Sequence, residues 1–113
     1  MRKYLGALVL VAALALPAVA LAASLNPSQI GSGCDEDEIG TYHFVNNQVS
    51  PDFAAGGKLS VTFDGVTTNN ISPYMVLKSV QHFSVSSAGT LEAASTNLSG
   101  RLVLSDFDCK KKD

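Results

Sequence analysis

An all-β fold is predicted, an antiparallel β-sandwich of about six to eight short strands closed by one disulfide. Three observations carry that expectation. Runs of four to nine residues alternate apolar with polar side chains, the period of a half-buried strand, and are separated by clusters of Gly, Pro, Asn, Asp and Ser. No amphipathic helical pattern occurs beyond residue 22. The chain contains two cysteines, Cys34 and Cys109, set near the two ends of the stretch beyond residue 22.

Residues 1–22 have the anatomy of a secretory signal peptide: Met1-Arg2-Lys3 supplies the positive charge and 5–16 an uncharged apolar core. Ala18, Ala20 and Ala22 give two overlapping small-x-small cleavage patterns, with cleavage expected after Ala20 or Ala22. The apolar core is too short for a membrane span, which takes about 20 residues as a helix. Cleavage after Ala22 leaves 91 residues, enough for one domain with a modest core. The expected location is therefore periplasmic or extracellular. There, two cysteines read as a disulfide rather than as a redox or metal pair.

Taken in order, 23–40 is Gly-, Pro- and Ser-rich and is expected to be an irregular leader. Within the domain proper, 41–109, a first strand spans 41–49, with Tyr42 and Phe44 on one face and His43 and Val45 on the other. The clearest strand is 58–64, where Leu59, Val61 and Phe63 face one way. Asp64-Gly65 is a short-hairpin dipeptide, because both turn positions need positive φ, and 66–68 returns from it. Pro73 bars a central strand immediately after it. Strands are then expected at 74–77, at 80–86 with Gln81, Phe83 and Val85 on one face, and at 90–94 with Leu91 and Ala93 inward. A last strand at 101–107 places Leu102 and Leu104 inward and leads to a basic tail, 110–113.

Without Arg2 and Lys3 the chain carries six basic and ten acidic residues, a net charge of −4. Nucleic acid is thereby a poor partner, since phosphate binding needs a basic face. Asp35-Glu36-Asp37-Glu38 follows Cys34, and Asp106 and Asp108 precede Cys109, so a disulfide would gather carboxylates. Asp35, Asp37, Asp106 and Asp108 are the candidate ligands of a calcium ion, which takes six to eight oxygens. Solvated charge, partly neutralised by Lys110-Lys111-Lys112, is the simpler account of the same cluster. His43 and His82 are the only histidines, and a zinc or copper site from them would require adjacency across strands that spacing does not give. There is no G-x-S-x-G elbow and no phosphate loop, so no catalytic or cofactor-binding residues are assigned. Tyr42, Phe53, Tyr74 and Phe107 are the candidates for an exposed aromatic platform, although most of these rings are expected inside, because the fold has few other large residues for its core. Two sequons, Asn70-Ile71-Ser72 and Asn97-Leu98-Ser99, are also present.

The pieces Cys34, Tyr42-His43-Phe44-Val45, Leu59-Ser60-Val61-Thr62-Phe63, His82-Phe83-Ser84-Val85 and Leu98-Ser99-Gly100-Arg101-Leu102-Val103-Leu104-Ser105 with Cys109 resemble small secreted bacterial β-sandwich domains, Ig-like or prealbumin-like. A Trp that often precedes the His-Phe-Val piece in such domains is Tyr42 here. The resemblance implies no catalytic set. The expected function is that of a non-enzymatic surface or extracellular-matrix module binding protein or glycan. A calcium-dependent module is the alternative, and a small hydrolase or inhibitor a further one.

Overall fold

A computed structural model describes residues 22–51 and 56–112. Its strands are β1 (Ala23–Ser24), β2 (Glu38–Asn47), β3 (Leu59–Phe63), β4 (Val66–Ile71), β5 (Met75–Val76), β6 (Gln81–Ser87), β7 (Leu91–Thr96) and β8 (Arg101–Lys111). They form two four-stranded sheets, a rear sheet in the order β1-β7-β3-β4 and a front sheet in the order β5-β6-β2-β8. Every strand pair is antiparallel. The predicted all-β sandwich with one disulfide is the fold observed. The segment read as a signal peptide lies, up to residue 21, outside the described residues, as does Phe53.

Alternation decides which side chains enter the core. Tyr42, Phe44 and Asn46 of β2, Leu59, Val61 and Phe63 of β3, and Gln81 and Phe83 of β6 are buried, while their sequence neighbours are not. Leu91, Leu98 and Leu102 complete the packing between the sheets. The β3–β4 hairpin turns on Asp64 (φ 48°) and Gly65 (φ 80°), the positive dihedrals expected of this dipeptide. The Asp64 carboxylate accepts a hydrogen bond from the Thr90 N–H (3.0 Å) and Glu92 accepts one from the Gly65 N–H (2.8 Å), tying this turn to β7.

Some expectations shift where long-range pairing overrides local composition. The leader is not wholly irregular: β1 pairs with β7, Leu25 bridges Leu102, and β2 begins at Glu38. Two of the tail lysines are in β8, where Lys110 and Lys111 oppose Ile39 and Glu38. In β7 it is Ala94 that is buried and Ala93 that is exposed, because the register with β3 shifts between Thr62 and Phe63. An extra residue in one strand moves every later side chain to the opposite face.

The disulfide joins Cys34, ahead of β2, to Cys109 of β8, with sulfurs 2.05 Å and Cα atoms 5.7 Å apart. Cys109 stands opposite Gly40, and a Cβ on that glycine would lie 2.9 Å from the Cys34 sulfur and 2.8 Å from the Tyr42 ring. Glycine at position 40 is the condition for the sulfur and the ring to close over the strand.

Candidate functional site

Outward-facing residues of the front sheet make the most chemically loaded surface among the described residues. On β2, the inward parity of Tyr42 and Phe44 sends His43 and Val45 outward; on β6, inward Gln81 and Phe83 send His82 outward. Register then places His43 opposite Ser84 and Val45 opposite His82, so the two histidines are diagonal neighbours, within reach of long side chains. Their ring centroids are 5.5 Å apart and His82 Nδ1 lies 3.4 Å from His43 Nε2. Tyr74, just ahead of β5, donates its backbone N–H to the His82 carbonyl (2.9 Å), which lays its ring beside both imidazoles at 5.4 and 5.9 Å. The Tyr74 hydroxyl hydrogen-bonds to His43 Nε2. Asp106 of β8 stands opposite His43 on its other side.

This cluster borders an apolar margin. Tyr74, Met75, Val76 and Leu77 follow one another with 54%, 44%, 41% and 51% of their surface exposed. They lie along β5, which pairs with β6 and is the outermost strand of its sheet. A strand at 74–77 is legible in the sequence, but its exposure is not assigned there. No local signal marks that exposure: four apolar residues without alternation, between Pro73 and Lys78, read equally as a buried strand.

Tyr42 and Phe107 serve the core. Tyr42 is fully buried, stacked on Phe107 at 5.0 Å and tilted on Phe63 at 4.8 Å, with its hydroxyl shared between the carbonyls of Ser32 (3.3 Å) and Gly89 (3.2 Å). Burial, with the Asp64 carboxylate adding to it, raises the pKa of the Tyr42 phenol above its ordinary value of 10.0. Of Tyr42, Tyr74 and Phe107, Tyr74 is the exposed one.

The four calcium candidates are not brought to one point. Asp106 and Asp108 share the outward parity of β8, whereas Cys109 and Lys111 have the opposite parity, and Asp37 pairs with Lys111 at 3.0 Å. Asp35, exposed, donates its N–H to the Glu38 carboxylate. Among the described residues, the one group of three potential ligand atoms from His, Cys, Asp or Glu within 4.8 Å of one another is Cys34, Glu38 and Cys109, whose two sulfurs are already bonded to each other. The disulfide brings the acidic segments together along the chain, but Asp106 and Asp108 lie on one face of β8 while Asp35 and Asp37 lie in the segment ahead of β2.

Ser84, His43 and Asp106 lie abreast across β6, β2 and β8, the residue types of a hydrolytic triad. His43 Nε2, however, is directed at Tyr74 and His82 rather than at a serine. On the rear sheet a depression of about 470 Å³ is lined by small residues including Ser24, Ser60, Thr62, Thr67 and Ser95, with no aromatic ring. Asn97 of the second sequon accepts a hydrogen bond from the Lys58 N–H (2.8 Å), and Ser99 accepts one from the Ser50 N–H (2.8 Å), so both hold the adjoining loops.

Compared with known proteins, the chain matches no family model and no curated sequence. Its formed disulfide is compatible with an extracellular setting, and no helix among the described residues is long and apolar enough to cross a membrane.

Proposed function

We propose that this chain is an exported, non-catalytic binding module that takes an extended segment of another extracellular protein along the β5 margin of the front sheet. The observation that carries this reading is the run of four exposed apolar side chains, Tyr74 to Leu77, on a strand two residues long at the limit of its sheet. Sheet edges in free proteins are usually kept short or blunted by charge, proline or cover, because an open edge templates pairing with another chain; β5 is short and lies between Pro73 and Lys78, yet its apolar side chains stay uncovered. An added strand gains main-chain hydrogen bonds for affinity and places alternate side chains against an apolar strip for selectivity. The net charge of −4 without Arg2 and Lys3 speaks against nucleic acid as the partner. A protein partner is favoured over a glycan because the depression on the rear sheet offers no ring for sugar stacking.

Selection from a library of unstructured peptides tests the proposal. Selected peptides should protect the amides of 75–76 from hydrogen exchange, and the double variant Val76→Lys, Leu77→Lys should lose binding at least tenfold without a change in melting temperature. Protection that maps to another edge, or binding indifferent to the two lysines, would overturn it.

A further inference from the structure

Three polar atoms from three separate elements meet on the outer face of the front sheet: His43 Nε2, His82 Nδ1 and the Tyr74 hydroxyl. An imidazole nitrogen offers one in-plane lone pair or one N–H, so His43 Nε2 serves a single partner at a time. Tyr74 and His82 therefore compete for it. A cation resolves the competition, because each nitrogen then turns its lone pair to the metal and neither needs the other's proton.

We infer that His43 and His82 form a two-histidine site for a first-row divalent cation, zinc above all, with the Tyr74 hydroxyl, once it releases His43 Nε2, as an oxygen donor beside it and water completing the shell. The separation of 3.4 Å between His82 Nδ1 and His43 Nε2 is the deciding quantity. Tetrahedral zinc with bonds of about 2.0–2.1 Å to nitrogen spaces its ligands about 3.3–3.4 Å apart. Adjacent ligands of a square-planar copper(II) centre with similar bonds would sit closer, at about 2.9 Å. Calcium is disfavoured by the nitrogen donors, since it prefers six to eight oxygens.

The surroundings support the same assignment. Both histidines are half-buried and rooted in paired strands of one sheet, so the separation of their backbones is set by register and costs nothing at binding. The Tyr74 backbone is fixed to His82 by its own hydrogen bond. Asp106, opposite His43 on β8, brings a carboxylate to the same face, where an acceptor for the remaining ring N–H of a metal-bound histidine is commonly found. The site shares Tyr74 with the β5 margin but not its two histidines, so metal binding and peptide capture are separable at His43 and His82 on one side and at Val76 and Leu77 on the other.

Calorimetry on the untagged, disulfide-bonded protein tests the inference with Zn(II), Cu(II) and Ca(II) as separate titrants. One zinc per chain should bind, and His43→Gln and His82→Gln should each weaken it at least tenfold. Tyr74→Phe should have a smaller effect, roughly twofold to tenfold, and Ca(II) should give no heat. Zinc titration followed by NMR of the wild-type imidazoles reads the site without any variant, and the resonances of His43 and His82 should move together. Unmoved histidine resonances, unchanged affinity in both glutamine variants, or saturation by Cu(II) without zinc binding would each overturn the assignment. Loss of peptide binding in Val76→Lys, Leu77→Lys with zinc affinity retained would separate the two activities.

Discussion

At the residue scale the central object is Tyr42, a side chain that is both core ring and hydrogen-bond donor. Its hydroxyl has one proton and two carbonyl neighbours, Ser32 and Gly89, so the neutral phenol is the form the fold uses. Tyr42→Phe keeps the stacking on Phe107 and Phe63 but removes that donor, and should lower unfolding stability by about 1 kcal/mol in denaturant titration. Because the neutral form is favoured, the folded pKa stands above the unfolded one. The Tyr42 contribution is thus complete below pH about 10 and is lost as pH rises through the folded value; Tyr42→Phe should remove this part of the alkaline loss of stability. The sequence marks Tyr42 as both inward-facing and a candidate for an exposed platform, and packing chooses the first. Nothing local could choose, because a tyrosine on the inner parity of a strand is buried only if a second sheet covers it.

At the element scale, the polar end of β2 shows how strands are locked to loops. Asn46 is fully buried; its amide donates to the Ser99 carbonyl (2.9 Å) and its oxygen accepts from the Thr96 hydroxyl. The Thr96 hydroxyl in turn accepts from the Leu98 N–H (3.3 Å), so one side chain joins β2 to the β7–β8 turn. The Asn46-Asn47 pair reads in the sequence as a bulge or strand end, and β2 does end at Asn47. Asn46→Ala strands a carbonyl and a hydroxyl away from water and should cost about 1–3 kcal/mol, measured by chemical unfolding. Strand existence is legible across most of the chain, since a pleated backbone enforces period two locally. Bulges are not: the register shift at Thr62–Phe63 that buries Ala94 in place of Ala93 depends on a partner strand roughly thirty residues away. The exposure of 75–77 is equally illegible, because whether a short apolar run is covered depends on what lies beyond the sheet's last strand.

For the whole molecule, the disulfide is the device that joins the two ends of the sandwich. Cross-linking residues separated by 75 positions removes unfolded-state entropy equivalent to about 4–5 kcal/mol in the chain-entropy account. Against a domain stability of about 5–15 kcal/mol, that is a large share. Reduction, or Cys34→Ser with Cys109→Ser, should lower unfolding stability by up to that amount, read by extrapolation to zero denaturant, with a steeper slope because the unfolded chain without its cross-link exposes more surface. The bond also organises charge: it brings two acidic segments together, but Asp106 and Asp108 lie on one face of β8 while Asp37 pairs with Lys111, of the opposite parity. Proximity along a covalent path is therefore not convergence of ligands.

Length, cysteine count, alternation and the Asp64-Gly65 dipeptide were enough to specify an all-β chain with one closing bond and a tight hairpin, because each expresses backbone or covalent chemistry that acts within a few residues or irrespective of the path between them. The meeting of His43 with His82 and Tyr74, and the parting of the acidic residues, came from register and sheet order. Those are properties of pairing between distant segments: shifting one strand by a single residue would send His82 to the opposite face and leave its alternation in sequence unchanged.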